Sequence, residues 1–73
     1  MRVGIRHRRV LGENIHAVRK AEGMTEQELA KLVAVSATRI RELEAGQLNI
    51  TLDLLAKIAK ALRISVNDLT SGL

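Results

Sequence analysis

Residues 25–46 read TEQELAKLVAVSATRIRELEAG and contain two short apolar patterns of helical period, separated by a turn. Leu29 and the small Ala30 share one face of the first pattern with Val33, which lies four residues after Leu29 and three after Ala30. Ile40 and Leu43 share one face of the second pattern because they are three residues apart. An alanine at the contact lets two helices approach closely, and the turn sets a wide angle between them. The stretch therefore predicts two crossed helices, the second of which presents its polar face outward.

Capping residues predict where these two helices begin and end. Thr25 and Glu28 have the spacing of a capping box, in which a hydroxyl and a carboxylate each accept a hydrogen bond from an unpaired backbone amide. Ser36 is a preferred N-cap for the second helix, and Gly46 tolerates the left-handed conformation that ends it. We therefore expect one helix from Thr25 to about Val33 and another from Ser36 to Gly46.

Three further helical patterns flank this pair, and no alternating strand pattern occurs. The first covers roughly residues 11–22, the fourth begins after its cap at Thr51, and a last short helix covers about residues 66–70. Short connections join the five segments, which favours helices packed on helices. The sequence therefore predicts an all-α, compact five-helix domain.

The composition excludes several classes of protein and site. The chain has 73 residues, enough for one domain, and contains no cysteine, phenylalanine, tyrosine or tryptophan. Disulfides and cysteine zinc sites are excluded, and nucleic-acid bases would find no aromatic ring on which to stack. The apolar runs are shorter than the roughly 20 residues of a membrane span, and no signal sequence precedes them. We expect a soluble, unprocessed, cytoplasmic protein with no membrane partner.

Positive charge is concentrated at the N-terminus. The net charge is +4, and the first ten residues contain four arginines: Arg2, Arg6, Arg8 and Arg9. Twelve Lys and Arg less these four leaves eight, which equals the eight Asp and Glu, so the rest of the chain is neutral. We divide the chain into a basic N-terminal arm, residues 1–10, and a domain, residues 11–73. The arm suits contact with a polyanion, such as the backbone or minor groove of a nucleic acid, and a solvated, disordered terminus is the alternative.

Catalysis and metal binding have little support in the residues. His7 and His16 lie nine positions apart, with no third ligand near them. Gly4, Gly12 and Gly23 are scattered and follow no strand, so they do not form a phosphate-binding loop. No nucleophile, base and orienting group stand together. We expect no enzyme activity, no metal and no cofactor.

A family resemblance covers most of the chain. Residues 11–69, LGENIHAVRKAEGMTEQELAKLVAVSATRIRELEAGQLNITLDLLAKIAKALRISVNDL, resemble the Cro and phage-repressor (XRE-like) helix-turn-helix family. The resemblance implies a lambda-repressor-like fold and a sequence-specific DNA-binding transcriptional regulator, a repressor or autoregulator. We expect it to bind double-stranded DNA as a homodimer on a palindromic operator, with the third helix in the major groove.

The resemblance also assigns roles to individual residues. Four outward positions of the third helix would face bases: Ala37, Thr38, Arg41 and Glu42. Six side chains would lie near phosphates: Thr25, Gln27, Ser36, Arg39, Gln47 and Asn49. Arg19 and Glu44 would form a buried structural pair that joins the first helix to the third.

The sequence departs from the family's pattern at three positions. Glu26 stands where glutamine is usual, and its carboxylate would repel a phosphate. Ala34 replaces the usual turn glycine, so a left-handed backbone there would cost roughly 1 to 2 kcal/mol. Ile50 stands where proline is common, which frees the loop. These departures affect a phosphate contact and the turn rather than the whole motif.

A second interpretation stays open because a fold does not determine a function. The neutral body and Glu26 suit a protein-binding module, such as an antitoxin that holds a toxin or an adaptor that does not read DNA.

Polymerase is the protein partner expected of a DNA-bound regulator. Leu69 and Leu73 are candidate dimer contacts. Residues 46–62, GQLNITLDLLAKIAKAL, are also similar to small controller proteins of restriction-modification systems.

Overall fold

The structure, a computed structural model, describes residues 5–72, with side chains from His7 onward. It contains five α-helices: α1 (Ile5–Ala21), α2 (Glu26–Val33), α3 (Ala37–Glu44), α4 (Leu52–Leu62) and α5 (Val66–Leu69). No strand occurs between residues 5 and 72. The predicted all-α, five-helix fold is therefore confirmed.

One aliphatic core holds the five helices together. α2 packs against α3 and α4, α1 packs against α3, and α5 packs against α4 and α1. Every helix contributes buried apolar side chains to this core: Leu11, Ile15, Leu29, Ala30, Val33, Ile40, Leu43, Leu55, Ile58, Ala59, Leu62 and Leu69. Full burial of one leucine or isoleucine stabilises a fold by about 1.5–3 kcal/mol. Because α2 to α5 have only 4 to 11 residues each, they would be marginal in water on their own, and packing in this core stabilises them.

The predicted caps are present at the helix starts. The Thr25 hydroxyl accepts a hydrogen bond from the Glu28 backbone amide at 3.0 Å, and the Glu28 carboxylate accepts one from the Thr25 amide at 2.8 Å. The hydrogen bond from the Thr25 backbone lowers the pKa of Glu28. Ser36 and Thr51 cap α3 and α4 with one hydrogen bond each. In both caps the hydroxyl accepts from a backbone amide of the first helical turn, and no carboxylate of the described residues returns a second bond to the cap.

The start of the first helix was predicted too late. α1 begins at Ile5, six residues before the predicted start at residue 11. Arginine is a good helix former, and neither proline nor a capping residue interrupts residues 5–10, so the helix continues through the basic segment. Residues 5–10 of the predicted arm therefore belong to α1, and Arg2 lies outside the described residues. The DNA-binding role of the arm arginines stays a prediction.

The turn between α2 and α3 keeps a left-handed residue although it has no glycine. Ala34 ends α2 with φ 59° and ψ 43°. In this conformation the next amide, that of Val35, donates to the Ala30 carbonyl at 3.0 Å, which satisfies one unpaired carbonyl at the helix end. The chain thus follows the turn path that glycine usually supplies, at the cost of a crowded Cβ atom.

We expect Ala34→Gly to raise the free energy of unfolding by about 1 kcal/mol, because it removes the left-handed strain and loses only an exposed methyl group. The melting temperature of a domain this small should rise by roughly 4–8 °C. Thermal unfolding followed by circular dichroism measures the change. Ala45→Gly is the matched control, because Ala45 ends α3 with a right-handed φ of −82°. Equal effects of the two glycines would contradict the explanation.

Candidate nucleic-acid interface

The two helices of the predicted motif cross with their apolar faces turned inward. Leu29, Ala30 and Val33 of α2 are buried, and so are Ile40 and Leu43 of α3. The small side chain of residue 30 lets the two helices approach closely. Because these positions are held by the core, the opposite face of α3 must point to the outside.

The outward face of α3 is polar and short. Thr38, Arg39 and Arg41 are exposed, whereas Glu42 is half-buried and Ala37 packs against the core. An α-helix with such a face fits the major groove, which is about 12 Å wide and displays base edges that side chains can distinguish. Of the four predicted base-contacting positions, Thr38 and Arg41 are therefore the best presented.

The side chains predicted to lie near phosphates are all exposed: Thr25, Gln27, Ser36, Arg39, Gln47 and Asn49. Thr25 and Ser36 mark the first turns of α2 and α3, where unpaired backbone amides favour an anion. Both hydroxyls accept hydrogen bonds from backbone amides in their capping roles. Each hydroxyl keeps its own hydrogen, which can be donated to a phosphate oxygen.

Glu26 has a role that differs from the expected one. Its carboxylate accepts a hydrogen bond from Arg41 at 3.3 Å, so a residue of α2 holds a predicted base-contacting residue of α3. The Arg41 side chain is 61% exposed, and such an ion pair is worth only about 0–1 kcal/mol. Glu26 therefore holds the exposed Arg41 side chain only weakly.

A buried ion pair joins α1 to the end of α3, as the resemblance implies. Arg19 donates from Nε to one Glu44 oxygen at 2.6 Å and from Nη2 to the other at 3.0 Å. A third bond runs from Nη1 to the Met24 carbonyl at 2.8 Å. The two side chains are only 7% and 6% exposed. The pair therefore fixes α1, the loop before α2 and the last residue of α3 relative to one another.

His16 is a member of this cluster that the sequence analysis missed. Its Nδ1 atom lies 2.7 Å from Oε1 of Glu44. Burial is the largest influence on Glu44 and opposes its ionisation, but the hydrogen bonds and charges of Arg19 and His16 outweigh it and lower the pKa of Glu44. The signal available in the sequence was the three-residue spacing of His16 and Arg19, which puts them on one face of α1.

Two further contacts join residues that are far apart in the chain. Arg8 donates from Nη1 to the Asn49 side-chain oxygen at 3.1 Å. Asn14 donates to the carbonyls of Leu69 and Ser71 at 2.9 and 2.8 Å, which ties the C-terminal turn to α1. Separations of 41 to 57 residues carry no local pattern, so no feature of the sequence alone indicated these bonds.

The prediction of Leu69 as a dimer contact is wrong, because its side chain is fully buried in the core. Leu73, the other candidate, lies outside the described residues.

Within residues 5–72, no group of three or more acidic or histidine side chains is placed to hold a metal ion. In the same part of the chain, no helix combines the length and the apolar character needed to cross a membrane.

The family model described as helix-turn-helix (HTH_3) matches residues 15–69, from the middle of α1 to the end of α5. This chain belongs to the helix-turn-helix family. Its helix-turn-helix proper is α2, the turn at residues 34–36, and α3. The membership confirms the predicted family and the predicted class, a DNA-binding transcriptional regulator.

Three known proteins are similar to this chain, one in sequence and two in structure. It is 33% identical over 60 residues to control protein C.SmaI of Serratia marcescens, a match that covers 82% of this chain and 71% of that protein. The clp gene regulator ClgR from C. glutamicum is similar in structure, with a TM-score of 0.85, 36% identity and coverage of 86% and 81% of the two chains. The P22 c2 repressor in complex with a synthetic operator gives a TM-score of 0.78, 32% identity and coverage of 86% and 96%.

Proposed function

We propose that this helix-turn-helix protein is a repressor or autoregulator that binds a palindromic operator as a homodimer, with α3 of each copy in the major groove. The observation that carries the proposal is the outward face of α3, where Thr38, Arg39 and Arg41 are exposed while the opposite face is locked in the core. The similar P22 c2 repressor is bound to an operator in its structure, which supports the same mode here.

Sequence would be read mainly by two side chains of α3. Arg41 can donate two hydrogen bonds to O6 and N7 of guanine, and the Thr38 hydroxyl can bond to either kind of base edge. Glu42 can accept a bond from cytosine N4, and Ala37 can contact a thymine methyl group, although both are less exposed. In this mode Arg41 exchanges its hydrogen bond with Glu26 for bonds to the base.

Phosphate contacts would fix the position of α3 without reading sequence. Thr25 and Gln27 lie at the start of α2, and Gln47 and Asn49 lie in the loop after α3. These two groups bracket the recognition helix along the chain. Hydrogen bonds from both sides to the DNA backbone would set its depth and direction in the groove.

A homodimer is proposed because one copy can read little DNA. α3 has eight residues and is therefore about 12 Å long, which corresponds to only a few base pairs. Two copies related by a two-fold axis would read two half-sites about 34 Å apart, one turn of the double helix. The palindrome follows from that symmetry.

Selection of bound sequences from a random pool of DNA tests the proposal. We expect enrichment of a palindrome whose half-sites are centred about 10 base pairs apart. A pool from which no sequence is enriched would favour the protein-binding alternative, in which the chain is an antitoxin that holds a toxin or an adaptor that does not read DNA. Sedimentation of the complex on the enriched DNA then gives the number of copies bound.

The variant with both Thr38→Ala and Arg41→Ala should bind the selected operator at least about 30-fold more weakly, which corresponds to roughly 2 kcal/mol for one lost bidentate contact. Binding to random DNA should fall much less, because phosphate contacts remain. Fluorescence anisotropy with both DNAs measures the difference. Lys60→Ala, which removes an exposed charge from α4, is the control. Equal losses on operator and random DNA would restrict the two residues to phosphate contacts.

A further inference from the structure

The loop between α3 and α4, residues 45–51, carries a polar side chain that is held from outside the helix-turn-helix. Asn49 is exposed, but its side-chain oxygen accepts the hydrogen bond from Nη1 of Arg8 at 3.1 Å. Arg8 lies at the end of the first turn of α1, 41 residues earlier in the chain. A predicted arm residue and a predicted phosphate contact therefore form one unit.

Both partners of this contact are anchored. Leu48 and Ile50, on either side of Asn49, pack against the core. The Nε atom of Arg8 is buried and has no hydrogen-bond partner among the described residues, so the stem of this side chain lies against the protein. The guanidinium group is thus presented from a fixed position, and its placement costs little additional entropy when a ligand binds.

The backbones of α1 and the loop also touch. Gly46 has a φ of +74°, and a Cβ atom built on it would lie 2.9 Å from the Cα atom of Arg9. This approach is possible only because residue 46 is glycine. The first turns of α1 and the start of the loop therefore behave as one packed surface.

The chemistry of the contact fixes the orientation of the Asn49 amide. A guanidinium has only donors, so the oxygen of the amide must face Arg8 and its NH₂ group must point elsewhere. Two amide hydrogens beside a fixed positive charge are suited to an anion with several acceptor oxygens. A phosphate of the DNA backbone has that chemistry.

We infer that Arg8 is a positioning residue for Asn49 and that the two form a preassembled phosphate-binding site between α1 and the α3–α4 loop. The inference rests on the proposed function, because the phosphate belongs to the DNA that α3 reads. It changes the role of the basic segment from a loose arm to a fixed part of the interface. Arg8 adds a charge, and it also selects the amide orientation that donates.

The test is a double-mutant cycle on the operator found by selection. Arg8→Met keeps the length of the stem and removes the guanidinium, and Asn49→Ala removes the amide. We expect Asn49→Ala to weaken binding at least about tenfold in the wild-type background and less than about twofold in the Arg8→Met background. The slope of log K against log salt should fall by about 0.9 per copy for Arg8→Met.

Lys60→Met is the control for loss of one positive charge, and melting temperatures confirm that each variant is folded. Independent effects of Arg8→Met and Asn49→Ala, or an Arg8→Met effect no larger than that of Lys60→Met, would overturn the inference while leaving the proposed function intact. Failure of the wild-type protein to bind any selected DNA would instead overturn the proposed function and the inference with it. Coupled losses in folded variants would establish the site.

Discussion

The Gly12→Ala variant is expected to lose about 3 kcal/mol of unfolding free energy. A Cβ atom at this position would lie 2.4 Å from the Leu43 carbonyl oxygen and 2.6 Å from that of Glu44. Both are backbone atoms at the end of α3, so no side-chain rotation relieves the clash and α1 must move away from α3. In a solvent-exposed part of a helix, glycine to alanine would instead stabilise the protein by roughly 1 kcal/mol. The sign of the change therefore tests the close contact between α1 and α3.

Chemical unfolding followed by circular dichroism measures this loss, and Gly23→Ala supplies a matched glycine control. Gly23 has a φ of +68°, and nothing lies within 4 Å of the Cβ atom that would be added there. Its substitution should cost only the backbone strain, roughly 1–2 kcal/mol. A Gly12→Ala protein as stable as the wild type would show that α1 and α3 are further apart than the structure has them.

Arg19→Ala is expected to cost about 3–5 kcal/mol, because it leaves the Glu44 carboxylate buried without its main partner. The substitution also removes the bond to the Met24 carbonyl, which holds the loop before α2. A domain of this size has a total stability of only about 5 kcal/mol. Thermal unfolding should therefore show a variant that is largely unfolded or melts at a much lower temperature.

Two further variants test whether the loss of stability comes from the unpaired, buried Glu44 carboxylate. Arg19→Met combined with Glu44→Leu removes both charges and should recover most of the stability, since apolar replacement of a buried pair is often neutral. His16→Ala should cost less than about 1 kcal/mol, because the His16 side chain is 53% exposed. An unaltered melting temperature of Arg19→Ala would mean that the pair is solvated.

Much of the recognition motif was predictable because its signals are local. Thr25 and Glu28 cap α2 through hydrogen bonds three residues apart, and apolar residues three and four apart give each helix its buried face. The left-handed Ala34 could be anticipated only from the resemblance, since its propensity does not favour that conformation. The same resemblance supplied the pairing of Arg19 with Glu44, which lie 25 residues apart.

The structure of the basic segment was harder to predict than its charge. A cluster of arginines at an N-terminus is compatible with a mobile arm or a helix, and the apolar pattern that begins at Leu11 suggested the wrong boundary. The arginines allow the helix to continue through residues 5–10, and contacts of Gly46 with Arg9 and of Asn49 with Arg8 hold this part of α1 against the loop after α3. These contacts form only when α1 packs beside the loop after α3, and a short stretch of sequence gives no indication of that packing.

Local sequence thus set the number of helices, the approximate bounds of α2 to α5, the N-caps of α2, α3 and α4, and the polar outer face of α3. Packing between distant segments set the length of α1, the glycine required at position 12, the pairing of Glu26 with Arg41 and the support of Asn49 by Arg8. The physical reason is the range of the interactions. Capping and helical periodicity act over three or four residues, whereas these contacts join residues that lie close together only after the helices have packed.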